Sequence, residues 1–452
     1  MSPVGSNSYK KERLTAYLGH IVNPLSDSLY EEWLDGALIV DGNGRIVDVG
    51  AWAALKKTYA AVDEIYDYER RLIFPGFVDL HIHLPQVTQV GKSGDTLLGW
   101  LEKYIFPAES RFSEPQHARQ IANWFFDELP RNGTTLAVVF TTIHEEAADI
   151  AFEVAAHKGN RVVMGKVMMD RHSPPSLSEE LSQSLKSSAK LAERWHGYDD
   201  NRIQYAFTPR FAITSSDDML RETGKLWRNY PGTFVHTHLA ESKEEVRSVA
   251  ELFPRSRSYL DVYDQAGLVG ERSVFAHAIH IDDTDLAVLS RSKSALAYCP
   301  SSNFFLKSGI FPIARVKDKG VQFGLGSDVA AGPSMCLFGV MKDANFIQPE
   351  IWISPAELLY YATIGGARAL KLDHKVGSLE RGKEADFVIV NPNNRSAVPG
   401  NILNHPTDEI LSVLVFMGDD RMIEGTYVRG KAIYEREDSP AKKTLQKKPA
   451  LQ

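Results

Sequence analysis

Cysteine is nearly missing from this chain: Cys299 and Cys336 are the only two in 452 residues. That is too few for a disulfide framework or a Cys-rich zinc ribbon, so a metal here has to be held by histidine and carboxylate. Long apolar runs are missing as well. No stretch approaches the roughly 20 residues of a membrane span, and MSPVGSNSYKKERLTAYLGH at the N-terminus lacks the apolar run of a signal peptide. A cytoplasmic protein is expected. Positive charge is in deficit, 51 Lys and Arg against 58 Asp and Glu for a net −7, so nothing favours nucleic acid or an anionic membrane as partner. What is present is ordinary globular material, 43% hydrophobic and 24% charged. The length admits three domains or one large α/β barrel with an appended module.

Residues 1–13 and 437–452 are polar and lack apolar periodicity, and disordered tails are expected there. Ala37–Val40 and Arg45–Val49 flank Asp41-Gly42-Asn43-Gly44, a hairpin signature. Ala385–Val390 and Thr426–Tyr434 near the other end have the same β character, so the flanks 14–74 and 373–436 are expected to pair into one module. Between them, eight strand-length apolar runs alternate with helical segments: 76–83, 134–140, 162–168, 203–208, 233–239, 273–278, 295–299 and 321–326. Eight βα units predict a (β/α)8 TIM barrel over 75–372. A doubly wound open sheet would want a Gly-rich phosphate turn after its first strand, and Phe77-Val78-Asp79-Leu80-His81 stands there instead.

The first of these runs ends in His81-Ile82-His83, whose alternation puts both imidazoles on one face of the strand. The fifth ends in His236-Thr237-His238-Leu239-Ala240-Glu241, a second such pair followed by a carboxylate. His277 and His280 follow the sixth run, and the eighth leads into Gly326-Ser327-Asp328. Singly, each has a plain structural explanation: His277 as a core histidine, Asp328 as a helix N-cap, Glu241 as a helix-start residue. Together they fall at the C-terminal ends of the expected barrel strands, the face where barrel enzymes carry catalysis. His81, His83, His238 and Asp328 make a three-nitrogen, one-oxygen set of the kind that holds catalytic zinc, with iron or manganese also compatible. Glu241 is then free to move protons.

At this point the chain resembles the amidohydrolase superfamily, and within it the branch that deaminates guanine. The resemblance runs from about residue 20 to 435. It is carried by 74–86 (FPGFVDLHIHLPQ), 208–211 (TPRF), 236–241 (HTHLAE), 299–303 (CPSSN) and 377–387 (GSLERGKEADF). It implies a barrel flanked by a β-sandwich from both chain ends, one metal held by His81, His83, His238 and Asp328, and a homodimer. It also implies deamination of guanine to xanthine and ammonia by a zinc-activated hydroxide, a step of purine breakdown. Glu241 would carry protons, Asp328 would act as ligand and base, and His277 would stabilise the tetrahedral intermediate. Gln86 and Arg210 would read the purine edge, Gln86 both donating and accepting, while Phe211 stacks on the ring and Trp100 and Asn303 shape the pocket. Lys166 reads as a paired structural lysine rather than a metal bridge. The rival substrates are 8-oxoguanine, another aminated heterocycle or a chlorinated triazine. A scaffold without chemistry would lack ligands or the proton carrier, and all are present. Zinc deaminases with a Pro-Cys-x-x-Cys motif are excluded by its absence.

Overall fold

A computed structural model describes residues 13–94, 96–394, 400–437 and 442–445. Residues 1–12 of the expected N-terminal tail therefore lie outside the described residues. The chain opens with β1 (Leu14–Pro24), β2 (Tyr30–Asp41), β3 (Ile46–Ala51) and β4 (Glu64–Pro75). The hairpin between β2 and β3 turns as its sequence demands. Asp41 Oδ1 accepts the N–H groups of Asn43 and Arg45 at 2.8 and 2.9 Å, and Gly44 takes the left-handed conformation, φ +79°.

The barrel follows: β5 (Phe77–His83), β6 (Thr134–Phe140), β7 (Arg161–Gly165), β8 (Val167–Met168), β9 (Ile203–Pro209), β10 (Phe234–Leu239), β11 (Ser273–His277), β12 (Ala295–Tyr298) and β13 (Gln322–Leu325). β8 continues the line of β7 past Lys166, so nine segments make eight staves, each within a residue or two of an apolar run read from the sequence. All pairings are parallel, in the order β13-β12-β11-β10-β9-β7-β6-β5. The ring closes where Asp328 N–H donates to the His81 carbonyl at 2.8 Å and His83 N–H to that of Val329 at 3.2 Å. Strands buried on both faces read as unbroken apolar runs, which is why β5, β6 and β9 are buried throughout. Leu136, Val138 and Phe234 share the strand faces of Phe140, His236 and His238 and fill the barrel beneath the histidines.

β14 (Phe387–Val390), β15 (Ile423–Val428), β16 (Lys431–Glu435) and β17 (Lys442–Leu445) return to the first four strands. Both chain ends thus enter one mixed eight-stranded sheet, in the order β16-β15-β14-β4-β1-β2-β3 with β17 on β4. Tyr17, Ile21, Leu38 and Val40 from one flank share a core with Leu379, Phe387, Ile389 and Tyr427 from the other. The pairing of Lys442 with Asp67 through Leu445 with Glu64 corrects part of the expected C-terminal tail. A backbone ladder needs no apolar pattern, and this segment carries none. Residues 438–441 and 446–452 of that tail lie outside the described residues. Arg161, at the start of β7, ties this sheet to the barrel floor: its Nε meets Asp386 at 2.7 Å and its Nη2 meets Glu384 at 2.5 Å, all three side chains being buried.

Candidate active site

β5 delivers His81 and His83, β10 delivers His238, and the turn after β13 delivers Asp328. Their donor atoms converge. His83 Nε2 lies 3.2 Å from both His81 Nε2 and His238 Nε2, and Asp328 Oδ1 lies 3.2 Å from His81 Nε2 and 3.3 Å from His83 Nε2. Four ligands 2.0–2.1 Å from a common centre in tetrahedral array are about 3.3 Å apart, so these spacings fit one divalent ion. The charges agree. Burial holds His81, His83 and His238 below the usual imidazole range, His83 at about 3, which leaves neutral rings whose lone pairs face one another. Burial would raise Asp328, but His81, His83 and His277 outweigh it and hold the carboxyl well below its ordinary value. Three imidazole lone pairs and a carboxylate converging on one point are a donor set suited to a divalent cation. Cys299 also comes near this set, and burial pushes its thiol well up.

The supports explain how the donors reach one point. His238 Nδ1–H donates to the Arg210 carbonyl at 2.8 Å, which leaves Nε2 free to ligate. His81 Nδ1 is 2.8 Å from His236 Nε2, so the first histidine of the second pair stands behind His81 rather than among the converging donor atoms. Asp79 accepts the N–H groups of His81 and Ser327 at 3.1 and 3.0 Å and pins the exits of β5 and β13 side by side. Gly326 permits that approach, since a Cβ there would sit 2.9 Å from Cys299 Sγ and 3.0 Å from His81 Cβ. His277 and Asp328 both hold left-handed backbone, φ +71° and +48°, unusual for residues other than glycine and concentrated in proteins at functional sites.

Glu241 follows β10 and directly precedes a helix, Lys243–Leu252, that opens with a Ser242/Glu245 capping box. Glu245 Oε2 also accepts the Glu241 N–H at 2.8 Å, which fixes the turn. One Glu241 oxygen accepts from Ser308 Oγ at 2.9 Å, and the other lies 3.4 Å from His277 Nε2. Burial, joined by the Asp328 charge, pushes the Glu241 carboxyl up to about 8 against the Ser308 hydrogen bond, so it can carry a proton at neutral pH. His277 Nδ1–H donates to Asn303 Oδ1 at 2.9 Å. Asn303 was expected to shape the pocket; it holds His277 instead and is not among the cavity-lining side chains. His280 accompanies the cluster without joining it, its Nε2 donating to the Ser308 carbonyl at 2.8 Å.

These groups open onto a cavity at the barrel mouth, walled by Gln86, Trp100, Arg210, Phe211 and Leu306. One buried residue behind that wall carries no motif in the sequence. Glu109 accepts Arg210 Nη1 on both oxygens, at 2.8 and 2.7 Å, and Gln86 Nε2 on one, at 3.1 Å. Gln86 was expected to donate and accept at the purine edge; one of its two amide N–H groups is held by Glu109. Within Phe106-Pro107-Ala108-Glu109-Ser110 no spacing marks this glutamate, and its partner Arg210 is 101 residues away. Lys166 is buried away from the donors, with Nζ bonded to Glu179 and the Val167 carbonyl.

Residues 72–433 match the profile of the Amidohydrolase family. Guanine deaminase of Escherichia coli strain K12 is 40% identical over 422 residues, spanning 92% of this chain and 95% of that one. The solved structure of E. coli guanine deaminase superposes with a TM-score of 0.89 at 39% identity, covering 94% of this chain and 100% of that one. Guanine deaminase from C. acetobutylicum, solved with guanine bound in its active site, does so with a TM-score of 0.87 at 29% identity, covering 93% and 100%.

Proposed function

The chain belongs to the amidohydrolase family, and we propose that its barrel-mouth site deaminates guanine hydrolytically, yielding xanthine and ammonia. The observation that carries this reading is the meeting of His81, His83, His238 and Asp328 beside the cavity that Glu241, Gln86 and Arg210 line. The guanine deaminase relatives support the substrate. Residues 75–372 form the catalytic barrel in this reading, with 14–74 and 373–436 as the flanking module.

A divalent ion held by His81, His83, His238 and Asp328, zinc in the first instance and iron as the alternative, would supply Lewis acidity that brings the pKa of water toward about 7. The chain's own residues do the rest. Guanine's C2 is an amidine-like carbon with a poor leaving group. Asp328 takes the proton of the attacking water, and Glu241, protonated at neutral pH, delivers its own to ring N3 as oxygen adds to C2. Glu241, now a carboxylate, takes the hydroxyl proton of the tetrahedral carbon and passes it to the departing amine, so that ammonia leaves and the C2 carbonyl forms, and the proton held by Asp328 returns to Glu241. General acid–base work of this kind is worth about 10²–10⁴ in rate. His277, with Nδ1–H committed to Asn303, presents Nε2 toward the reacting oxygen. Arg210 and Gln86 hold the O6 and N1 edge, and Phe211 stacks on the ring.

Turnover of guanine, 8-oxoguanine, adenine and cytosine, followed by ultraviolet absorbance on the purified protein, tests the assignment. Guanine is expected to lead by orders of magnitude, and a rival ahead of it overturns the reading. The same proposal includes a homodimer, supported by an exposed aromatic cluster in which Phe346 and Trp352, 66% and 68% exposed, each pack on Phe416 with ring centroids 5.6 Å apart. It also includes a cytoplasmic location, which the two unpaired, buried cysteines support. No helix among the described residues is long and apolar enough to cross a membrane.

A further inference from the structure

Glu109 is 1% exposed, lies outside the metal-donor cluster, and touches two cavity residues at once. A carboxylate accepts hydrogen bonds and donates none, so whatever it touches must turn a donor toward it. Gln86 has one amide nitrogen and one amide oxygen. With one Nε2 N–H on Glu109 at 3.1 Å, the amide is held in one orientation, and its carbonyl oxygen, without a partner among the described residues, is open to the cavity beside the second N–H. Arg210 is held in the same way: Nη1 reaches both oxygens of Glu109, the Arg210 guanidinium carbon stands 5.7 Å from the centre of the Phe106 ring, and Nε and Nη2 are uncommitted among the described residues. Both residues line the cavity, and both are only 2% exposed. Water is therefore poorly placed to substitute for a missing partner, and an unmatched polar group would be costly.

We infer that Glu109 is a positioning residue that sets the polarity with which the site reads a purine, holding the Gln86 amide so that its carbonyl accepts and fixing the plane in which Arg210 donates. This deepens the guanine reading and rests on it. A 6-oxopurine with a proton on N1 presents a donor beside an acceptor, the complement of a Gln86 carbonyl beside an Arg210 N–H. A 6-aminopurine presents the reverse, an acceptor at N1 beside a donor at the exocyclic nitrogen, and meets like with like at both positions. Without the carboxylate, the Gln86 amide is free to turn over and Arg210 loses the partner that fixes its plane. Discrimination is thus assigned to a residue that need not contact the substrate, and the oxo product, which keeps the same edge, is expected to bind by the same two groups.

The test compares guanine with 2-aminopurine, which keeps the C2 amine but has neither N1–H nor O6, in wild type and Glu109→Gln. Steady-state constants, metal content per chain and thermal melting are measured on each. The expected result is a KM for guanine raised ~10-fold or more in Glu109→Gln with a far smaller change in kcat, metal content retained, and the guanine to 2-aminopurine ratio of kcat/KM reduced at least ~10-fold. Equal losses on both substrates would mark Glu109 as merely structural and overturn the inference, as would an unchanged ratio. Glu109→Asp, which withdraws the carboxylate by one methylene, keeps the comparison available if the amide variant misfolds: loss of discrimination is again expected, and wild-type discrimination overturns it. A wild-type protein inert toward guanine overturns the functional reading itself. A wild type active on guanine beside an unaltered Glu109→Gln overturns the inference alone.

Discussion

His236 Nε2 stands 2.8 Å from His81 Nδ1, and between two nitrogens at that distance there is one proton. For His81 to present a lone pair at Nε2, where Asp328 and His83 converge on it, that proton must sit on its Nδ1 and be donated to His236. His236 thereby fixes both the tautomer and the tilt of His81, the first of the four proposed metal ligands. His236→Ala is expected to weaken metal binding by about 10–100-fold, measured by competition with a chromogenic chelator. An affinity equal to wild type would remove His236 from this role.

Glu241→Gln keeps the shape and the Ser308 contact but cannot cycle a proton. Metal content is expected to stay at the wild-type level while turnover falls by about 10²–10⁴. The check is elemental analysis beside the steady-state rate. Full activity in the amide would move the proton-carrying role elsewhere in the cavity.

Gly326→Ala tests the close packing behind the site. The new methyl would press on Cys299 and the His81 Cβ at 2.9 and 3.0 Å in a region with no room to give. A loss of about 1–3 kcal/mol in stability is expected from such overpacking, together with weaker metal binding because the strain falls on a ligand. Chemical denaturation and chelator competition measure the two effects separately.

The barrel strands were legible because burial on both faces leaves a continuous apolar run, and the converging donor cluster because alternation along a strand turns His81-Ile82-His83 into two rings on one side. The second pair, His236 and His238, shows the limit of the same pattern: identical spacing, one ring among the donors and the other behind His81. Which of the two does which depends on the partner strand, and no local rule carries that. Glu109 was invisible because its role exists only through Gln86 and Arg210, 23 and 101 residues away. Asn303 was placed near the right loop but on the wrong contact. Lys442–Leu445 was read as tail because backbone pairing with β4 leaves no mark in side-chain pattern.

Arg161 with Glu384 and Asp386 gives a pH prediction for stability. Burial would raise Glu384, but Arg161 and Arg429 outweigh it and lower the carboxyl from 4.5 to about 2. A depressed folded-state value means that the stabilisation is complete above the unfolded value near 4.5 and is lost as pH falls toward 2. Over that window the contribution is on the order of 2–3 kcal/mol. Glu384→Gln is expected to be less stable than wild type near neutral pH, with the gap closing as pH drops from 4.5 to 2. A constant gap in urea denaturation across that range would contradict the assignment.

Deamination of guanine is expected to depend on one divalent ion held by His81, His83, His238 and Asp328. The most direct measurement strips the protein with a chelator, restores the ion in steps, and records xanthine formation against bound metal per chain. Activity is expected to rise in proportion to occupancy and to level off at one ion per chain, with His83→Ala failing to recover. Xanthine formation that persists at the wild-type rate in protein holding less than about a tenth of an equivalent would contradict it.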